Sequence, residues 1–255
     1  WGQPAFYNTE AIVQELMNAG KTLADARRGG TSGCVETGAF GNEAYILTGY
    51  FNIPKVFELT LNNGYDKVSK KQLGLQLGYA ADFKTYDELF DAFKKQMKYF
   101  IDVKIQGSNI IEKIFADCMP APFLSILTND CIAKGKDYNA GGARYNTKYL
   151  QGVGIGTITD CLAAVKYNVY DKKNFTMDEL MAALDDNFIG HERILNLVKN
   201  HSPKYGNDDE YADEIMKQVF GYYQGEVTGR PNMLGGMYRV NMLPTTCHVY
   251  FGEVM

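Results

Sequence analysis

The chain has 255 residues, a hydrophobic share of 45% and a formal net charge of −4, enough apolar content for one large domain or two ordinary ones. Charged residues make up 22%, so no excess of charge works against a packed core. The acidic balance and the lack of Lys/Arg blocks exclude an electrostatic nucleic-acid footprint, and no uncharged run nears the roughly 18 residues of a membrane helix.

Ala11, Ile12, Leu16 and Met17 recur at helical spacing and predict a first helix over about 10–19, capped by Asn8 or Thr9 and stopped by Gly20. Residues 29–41 then hold five glycines in thirteen positions, which disfavours a regular helix and predicts a tight loop carrying one thiol, Cys34, and one carboxylate, Glu36. Pro54 suits the first turn of a helix reaching about Asn62, with Asn63-Gly64 ending it. Thr85-Tyr86-Asp87-Glu88 is a capping box for a long helix. In that helix Leu89, Phe90, Phe93, Met97, Phe100 and Ile101 form a core-packing stripe, and Gly107 is a candidate break. After Pro120-Ala121-Pro122, the apolar run 123–127 reads as a short buried strand. Gly141-Gly142-Ala143-Arg144-Tyr145-Asn146 reads as a turn followed by extended chain. Ile158, Cys161, Leu162 and Val165 share one face of a helix over about 157–167. Thr176-Met177-Asp178-Glu179 is a second capping box, for a helix reaching about Asn187. Further helices are expected over 190–199 and 208–223, the latter with Asp208-Asp209-Glu210 as an acidic start facing the helix dipole. Residues 238–243 alternate as a strand. Helices alternating with short apolar strands predict an α/β architecture.

In an extended loop, residues two apart point to one side, so Cys34 and Glu36 are placed to flank one small substrate, and Gly33 and Gly38 permit close backbone approach. The competing reading of any lone cysteine is a small buried hydrophobe. A hydrolase pairing of Cys34 with His248 has no local signature behind it. Gly152-Val153-Gly154-Ile155-Gly156 lacks both a P-loop lysine and GxGxxG spacing, so it reads as a turn or packing device. The five cysteines, at 34, 118, 131, 161 and 247, contain no CxxC pair, and His191, His201 and His248 are scattered. That pattern gives no metal-ligand spacing and fits a reducing, cytoplasmic setting. Cys118, Cys131 and Cys161 sit in apolar sequence surroundings and read as inert. The chain opens at Trp1-Gly2-Gln3-Pro4 and stops at Phe251-Gly252-Glu253-Val254-Met255. Both ends read like the interior of a domain, which predicts a fragment of a longer protein.

Gly33-Cys34-Val35-Glu36 resembles the catalytic Cys loop of the glycyl radical enzymes, the pyruvate formate-lyase-like family. Gly141-Gly142-Ala143-Arg144-Tyr145-Asn146 followed by Asp160-Cys161-Leu162-Ala163-Ala164-Val165-Lys166 is similar to that family's GGARYN … DSLAAIK stretch, with Cys161 in place of the usual serine. Thr176-Met177-Asp178-Glu179-Leu180 and Pro203-Lys204-Tyr205-Gly206-Asn207-Asp208-Asp209 resemble its later segments, so the likeness covers nearly the whole chain in order. The finer resemblance lies in Thr31-Ser32-Gly33-Cys34-Val35-Glu36-Thr37-Gly38, Leu47-Thr48-Gly49-Tyr50 and Leu243-Pro244-Thr245-Thr246-Cys247-His248. It is to the branch that dehydrates trans-4-hydroxy-L-proline.

The resemblance implies an α/β fold, part of a ten-stranded barrel built from two five-stranded parallel halves, wrapped in helices and threaded by the Cys loop. It implies one incomplete barrel domain over 1–255, with the Cys loop region at 31–52 and half-barrel strands and helices over 53–255. The resemblance further implies that the N-terminal half of the barrel lies outside this chain, as does the C-terminal glycine loop, for which no RVxGY-like motif occurs. The implied activity is that of a carbon–oxygen lyase, removing water from trans-4-hydroxy-L-proline to give 1-pyrroline-5-carboxylate through a thiyl radical, and this chain alone is expected to be inactive. The implied catalytic residues are Cys34 and Glu36, and the implied substrate-binding residues are Tyr50, Leu243 and Thr245. No metal or directly bound cofactor is expected. A radical SAM activating enzyme with an iron–sulfur cluster would install the glycyl radical, and the complete protein is expected to be a homodimer in the cytoplasm. Gly33, rather than a second cysteine, precedes Cys34, which disfavours acyl transfer. Glycerol or propanediol dehydratase and choline trimethylamine-lyase remain alternatives within the family, and a non-catalytic structural or interaction fragment remains an alternative of another class.

Overall fold

The computed structural model describes residues 7–32, 36–242 and 247–253, with 247 and 248 as backbone only. Helix α1 (Thr9–Asn18) is capped by Asn8, whose side chain accepts from the Ala11 amide at 3.0 Å, and Gly20 leaves it at φ +83°. Thr22 caps the short α2 (Leu23–Arg27). Strands β1 (Gly30–Thr31) and β2 (Thr37–Gly38) pair antiparallel, Gly30 opposite Gly38 and Thr31 opposite Thr37. Strand β3 (Glu43–Asn52) feeds directly into α3 (Ile53–Leu61), with Asn52 as cap and Pro54 in the first turn. Strands β4 (Tyr65–Asp66) and β5 (Lys71–Gln72) form a second small hairpin.

Helix α4 (Tyr86–Cys118) is 33 residues long. Its capping box forms as expected: Thr85 Oγ1 accepts from the Glu88 amide at 3.2 Å, and Glu88 accepts from the Thr85 amide at 3.4 Å. It passes Gly107 unbroken. The run 123–127 is not a buried strand. It is a helix, α5 (Pro122–Leu127), started by Pro122 and held by Asp137, which accepts from the Ala121 amide at 2.9 Å and the Ser125 hydroxyl at 2.7 Å. A five-residue apolar run carries no period that separates helix from strand, and the proline in front decides it. Then follow α6 (Cys131–Lys134), β6 (Tyr145–Val153) and α7 (Ile155–Val165), which runs on as a π-turn over Lys166–Asp171. The last elements are α8 (Met177–Asp185) with its capping box, α9 (Glu192–Asn200), α10 (Glu210–Val227), β7 (Met237–Asn241) and α11 (Cys247–Glu253).

The chain divides into two compact units. The first comprises Trp1–Tyr50, Lys104–Gln151 and Val227–Leu243 and carries a sheet in the order β3-β6-β7. Strands β6 and β7 are parallel, with Tyr149 beside Arg239 and Gln151 beside Asn241. Parallel neighbours need a long crossover, which residues 154–236 supply. Alternation sets the two faces. Tyr149, Gln151, Arg239 and Asn241 share the face that receives α1 and the β1–β2 hairpin, where Arg239 meets Glu15 at 2.8 Å. Lys148 and Tyr238 point to the C-terminal half of α4. There Tyr238 Oη donates to Asn109 at 2.9 Å, and the buried Lys148–Glu112 pair stands at 3.5 Å.

The second unit comprises Phe51–Val103, Gly152–Glu226 and Pro244–Met255. Its core joins Ile53, Val56 and Phe57 of α3 to Leu89, Phe93 and Met97 of α4, all buried, with the Phe57 and Phe93 rings edge-on at 5.5 Å. This is the stripe the spacing of α4 predicts. The glycine run at 152–156 proves to be a packing turn. Gly154 caps α7 at φ +89°, and a Cβ on it would fall 2.6 Å from the Pro54 ring. Gln96 is fully buried, its amide exchanging hydrogen bonds with the backbone of Leu75 at 2.8 and 2.7 Å.

Candidate active site

The β1–β2 hairpin carries the candidate catalytic loop. Ser32 and Glu36 close it beyond the strand pairs, the Ser32 amide donating to the Glu36 carbonyl at 2.8 Å. The Glu36 side chain is buried and held on both oxygens. Oε2 accepts from the Ser32 hydroxyl, and Oε1 accepts from Nδ2 of Asn241, on β7, at 2.9 Å. A buried carboxylate needs such donors, since desolvation otherwise penalises its charge. A carboxylate offers about four lone-pair positions. Two are taken, so Glu36 keeps acceptor capacity beyond these two donors.

Two further contacts fix the hairpin in the first unit. Tyr149 Oη, from β6, donates to the Thr37 carbonyl and accepts from the Thr37 hydroxyl, each at 2.9 Å. Burial pushes the Tyr149 phenol up to about 12, against the lowering effect of the Thr37 hydrogen bond, so it remains a proton donor at neutral pH. Burial likewise pushes the Tyr45 phenol up, and the Glu43 and Glu36 carboxylates add to the rise. Beyond the hairpin, Glu43 is buried and anchored by the Lys21 ammonium at 2.9 Å, the Ala39 amide at 2.8 Å and the Thr147 hydroxyl.

Cys34, Leu243 and Thr245 lie outside the described residues. Among the expected site residues the structure therefore places Glu36 and Tyr50. Tyr50 is 44% exposed near the end of β3 and makes no hydrogen bond to Glu36. The backbone before it is set by Lys104, whose ammonium donates to the Thr48 carbonyl at 2.7 Å, and by Gly49 at φ +124°. Burial pushes the Lys104 ammonium down from its usual range. The reading of the other cysteines changes in part. Cys131 is buried and its thiol is pushed up, by burial first and Asp137 second, as an inert residue requires. Cys118, the last residue of α4, and Cys161 are exposed instead, yet the Cys161 thiol is pushed up to about 11 by desolvation first and Asp160 second, so its reading as inert stands. On α7 the buried side is formed by Ile158, Leu162 and Val165, and Cys161 falls outside it.

Sequence reasoning missed Ser32 and Asn241 as Glu36 partners. Ser32 was readable as a donor four residues from the acid. Asn241 stands 205 residues away and had no local signal. Among the described residues, no group of three or more His, Cys, Asp or Glu side chains gathers to hold a metal ion, and no helix is long and apolar enough to cross a membrane.

Comparison with known proteins gives a consistent result. The family model described as pyruvate formate lyase-like matches residues 1–252. The trans-4-hydroxy-L-proline dehydratase of Clostridioides difficile is 69% identical over 255 residues, which is all of this chain and 32% of that protein. The crystal structure of the hydroxyproline dehydratase from the same organism, with trans-4-hydroxy-L-proline bound, matches with a TM-score of 0.97 over the whole chain and 32% of its own. The glycerol-bound B12-independent glycerol dehydratase of Clostridium butyricum matches at 38% identity and a TM-score of 0.93, again over the whole chain and 32% of its own. The (2S)-3-sulfopropanediol dehydratase of Klebsiella oxytoca is 33% identical, over 99% of the chain and 31% of its length. The chain thus spans about a third of the length of these relatives.

Proposed function

The chain belongs to the pyruvate formate lyase-like family, and on that premise we propose that it carries the Cys loop of a glycyl radical dehydratase acting on trans-4-hydroxy-L-proline. Its α/β fold is part of a glycyl radical enzyme barrel. We assign residues 31–52 to the Cys loop region and 53–255 to half-barrel strands and helices. The observation that carries the reading is the buried, doubly held Glu36 carboxylate, two residues after Cys34. The 69% identity to the C. difficile dehydratase supports the substrate.

In the full-length protein, a glycine-borne radical installed by a radical SAM activating enzyme supplies the hydrogen-abstracting power. Cys34, as a thiyl, takes the hydrogen atom from substrate C5, forming an S–H bond and leaving a carbon radical delocalised by the ring nitrogen. The C4–O bond then breaks with its electron pair leaving on oxygen, and the hydroxyl departs as water. Glu36 carries the proton at that oxygen, an effect typically worth ~10²–10⁴-fold. The proton lost in the water is offset by the one the ring nitrogen releases as the C5–N double bond forms. The Cys34 S–H returns a hydrogen atom to C4, restoring the thiyl and giving 1-pyrroline-5-carboxylate. Tyr50, Leu243 and Thr245 are assigned to the pocket wall, Thr245 as a hydrogen-bond donor to the substrate carboxylate. The complete protein is proposed to work as a cytoplasmic homodimer.

The test is anaerobic activation of the full-length protein, with the radical counted by electron paramagnetic resonance and products identified by mass spectrometry. Hydroxyproline turnover is expected, with Cys34→Ala keeping the radical signal but losing turnover and Glu36→Gln falling at least ~10²-fold. Turnover of glycerol, propanediol or choline without hydroxyproline turnover overturns the substrate. Full turnover in both variants overturns the residue roles.

A further inference from the structure

Glu36 is held from two directions by neutral donors, and the geometry points to Ser32 and Asn241 as positioning residues that aim its carboxylate at the reacting substrate oxygen, with Oε2 as the oxygen that carries the proton. The inference rests on the reading of Glu36 given above. A glutamate has three rotatable side-chain bonds, and it sits here beside strands of only two residues each, which alone give little rigidity. Proton transfer needs placement to a fraction of an ångström, and an error of about 1 Å costs roughly 10²-fold. Ser32 reaches Oε2 across the hairpin and Asn241 reaches Oε1 from the sheet at 2.9 Å. One donor on each oxygen fixes both the position and the plane of the carboxyl group.

The chemistry of the two donors differs in a way that matters. The amide nitrogen of Asn241 only donates, so Oε1 must stay an acceptor in both protonation states. The Ser32 hydroxyl donates to an ionised Oε2 and, turned about its C–O bond, accepts from a protonated one. Ser32 therefore tolerates a proton arriving on Oε2 and leaving again, and Asn241 keeps the other oxygen fixed meanwhile. A cation in either place would favour the charged form alone. Arg239, two residues before Asn241 on the same strand, is engaged by Glu15 at 2.8 Å.

The test uses the full-length, activated protein, with spin per protomer, kcat and KM for trans-4-hydroxy-L-proline measured separately. Ser32→Ala and Asn241→Ala are each expected to keep wild-type spin and a KM within about threefold, while kcat falls roughly 10–100-fold, the loss of one hydrogen bond to a charged group. Ser32→Thr keeps the hydroxyl and should restore most of kcat, which a purely structural role for a small residue would not predict. The double variant should lose no more than Glu36→Gln, because all three changes act on one carboxylate. Wild-type kcat in both alanine variants alongside an inactive Glu36→Gln overturns the inference and leaves the role of Glu36 standing. An equal fall in Ser32→Ala and Ser32→Thr overturns the hydroxyl's part. A fully active Glu36→Gln overturns the role of Glu36 itself, and the inference with it. If Ser32→Ala fails to take up the radical, Asn241→Ala, on a different element, decides the same question.

Discussion

A Cβ on Gly38 would lie 2.4 Å from the Tyr45 ring, and one on Gly29 would lie 2.4 Å from the Gly38 carbonyl oxygen. The base of the hairpin is thus packed too closely for any side chain, and both Thr37 and Glu36 depend on that packing for their places. Gly38→Ala is expected to displace β2 and lower turnover by ~10²-fold while the substrate still binds; a variant with unchanged kcat would show that the ring simply moves aside. Away from the hairpin, Asp66 shows what a single ion pair does in the second unit. Burial alone would push its carboxyl up. The Lys55 ammonium at 2.8 Å, with the Ser69 hydroxyl and amide, overcomes that and holds it well below the usual carboxylate range. A carboxyl depressed on folding contributes stability above its unfolded value of about 3.9 and loses it as pH falls toward its folded value. Asp66→Asn should therefore speed amide exchange at Val68 and Ser69, whose N–H groups donate to Asp66, by a local cost of about 2 kcal/mol at pH 7. The difference from wild type should shrink as the pH is taken below about 4. Exchange measured at pH 7 and near pH 3 checks this, and a gap that does not narrow argues against the ion pair as its source.

Among the elements, the β6–β7 pair has a demanding start. Gly236 immediately precedes β7, and a Cβ there would fall 1.4 Å from the Asn146 carbonyl oxygen. That is backbone against side chain with no rotamer to relieve it, so Gly236→Ala must push β7 off the register that brings Asn241 to Glu36. The expected outcome is low soluble yield and a loss of several kcal/mol, the mark of a strained core position. Gly225→Ala on α10 meets open space and replaces a poor helix former, so it should stabilise by up to ~1 kcal/mol. Thermal midpoints of the two variants, moving in opposite directions, check both. The same pair explains what the sequence could and could not reveal. The helices announced themselves through local chemistry: Asn8, Thr85 and Thr176 as caps, Pro54 and Gly20 as punctuation, and the Leu89–Phe93–Met97 stripe. Strand β6 showed only its start, as extended chain after the Gly141-Gly142 turn, because it neither alternates nor looks apolar, yet all but its first residue are buried. Three of its polar side chains find distant partners, Thr147 in Glu43, Lys148 in Glu112 and Tyr149 in Thr37. Burial of that kind is a property of the assembled sheet, and no window of sequence contains it. The candidate site divides the same way. Glycines and two-residue spacing singled out Cys34 and Glu36 as candidates within one loop, and their roles came from the family resemblance, whereas the hold of Asn241 on Glu36 exists only after β7 has crossed back beside β6.

For the molecule as a whole, the C-terminal half of α4 poses a question of what covers it. Ile105, Ser108 and Glu112 are buried, and Glu112 faces the sheet of the first unit. Ile110, Ile111, Ile114 and Phe115 form a second stripe at helical spacing, each more than 40% exposed, and Phe123, Ile126 and Leu127 of α5 are exposed by 60% or more. A helix apolar on two sides is normally buried on both, and exposed apolar patches of this extent mark contact surfaces. The chain spans about a third of the length of its relatives, so the expected cover is the remainder of the full-length polypeptide. It follows that the 255 residues produced alone should bind a hydrophobic dye strongly, associate as concentration rises, and show no turnover when mixed with substrate and activating enzyme. Ile114→Lys should reduce dye binding and association of the isolated chain without lowering its helical circular dichroism, because the side chain points away from the sheet. The same change in the full-length protein should cost about 2–5 kcal/mol, as for a charge forced into a packed interface, and lower its soluble yield. Each arm tests the other. A monomeric isolated chain that ignores the dye would mean the stripe is already covered, and a full-length Ile114→Lys protein with unchanged stability would mean that it faces water in the complete molecule too.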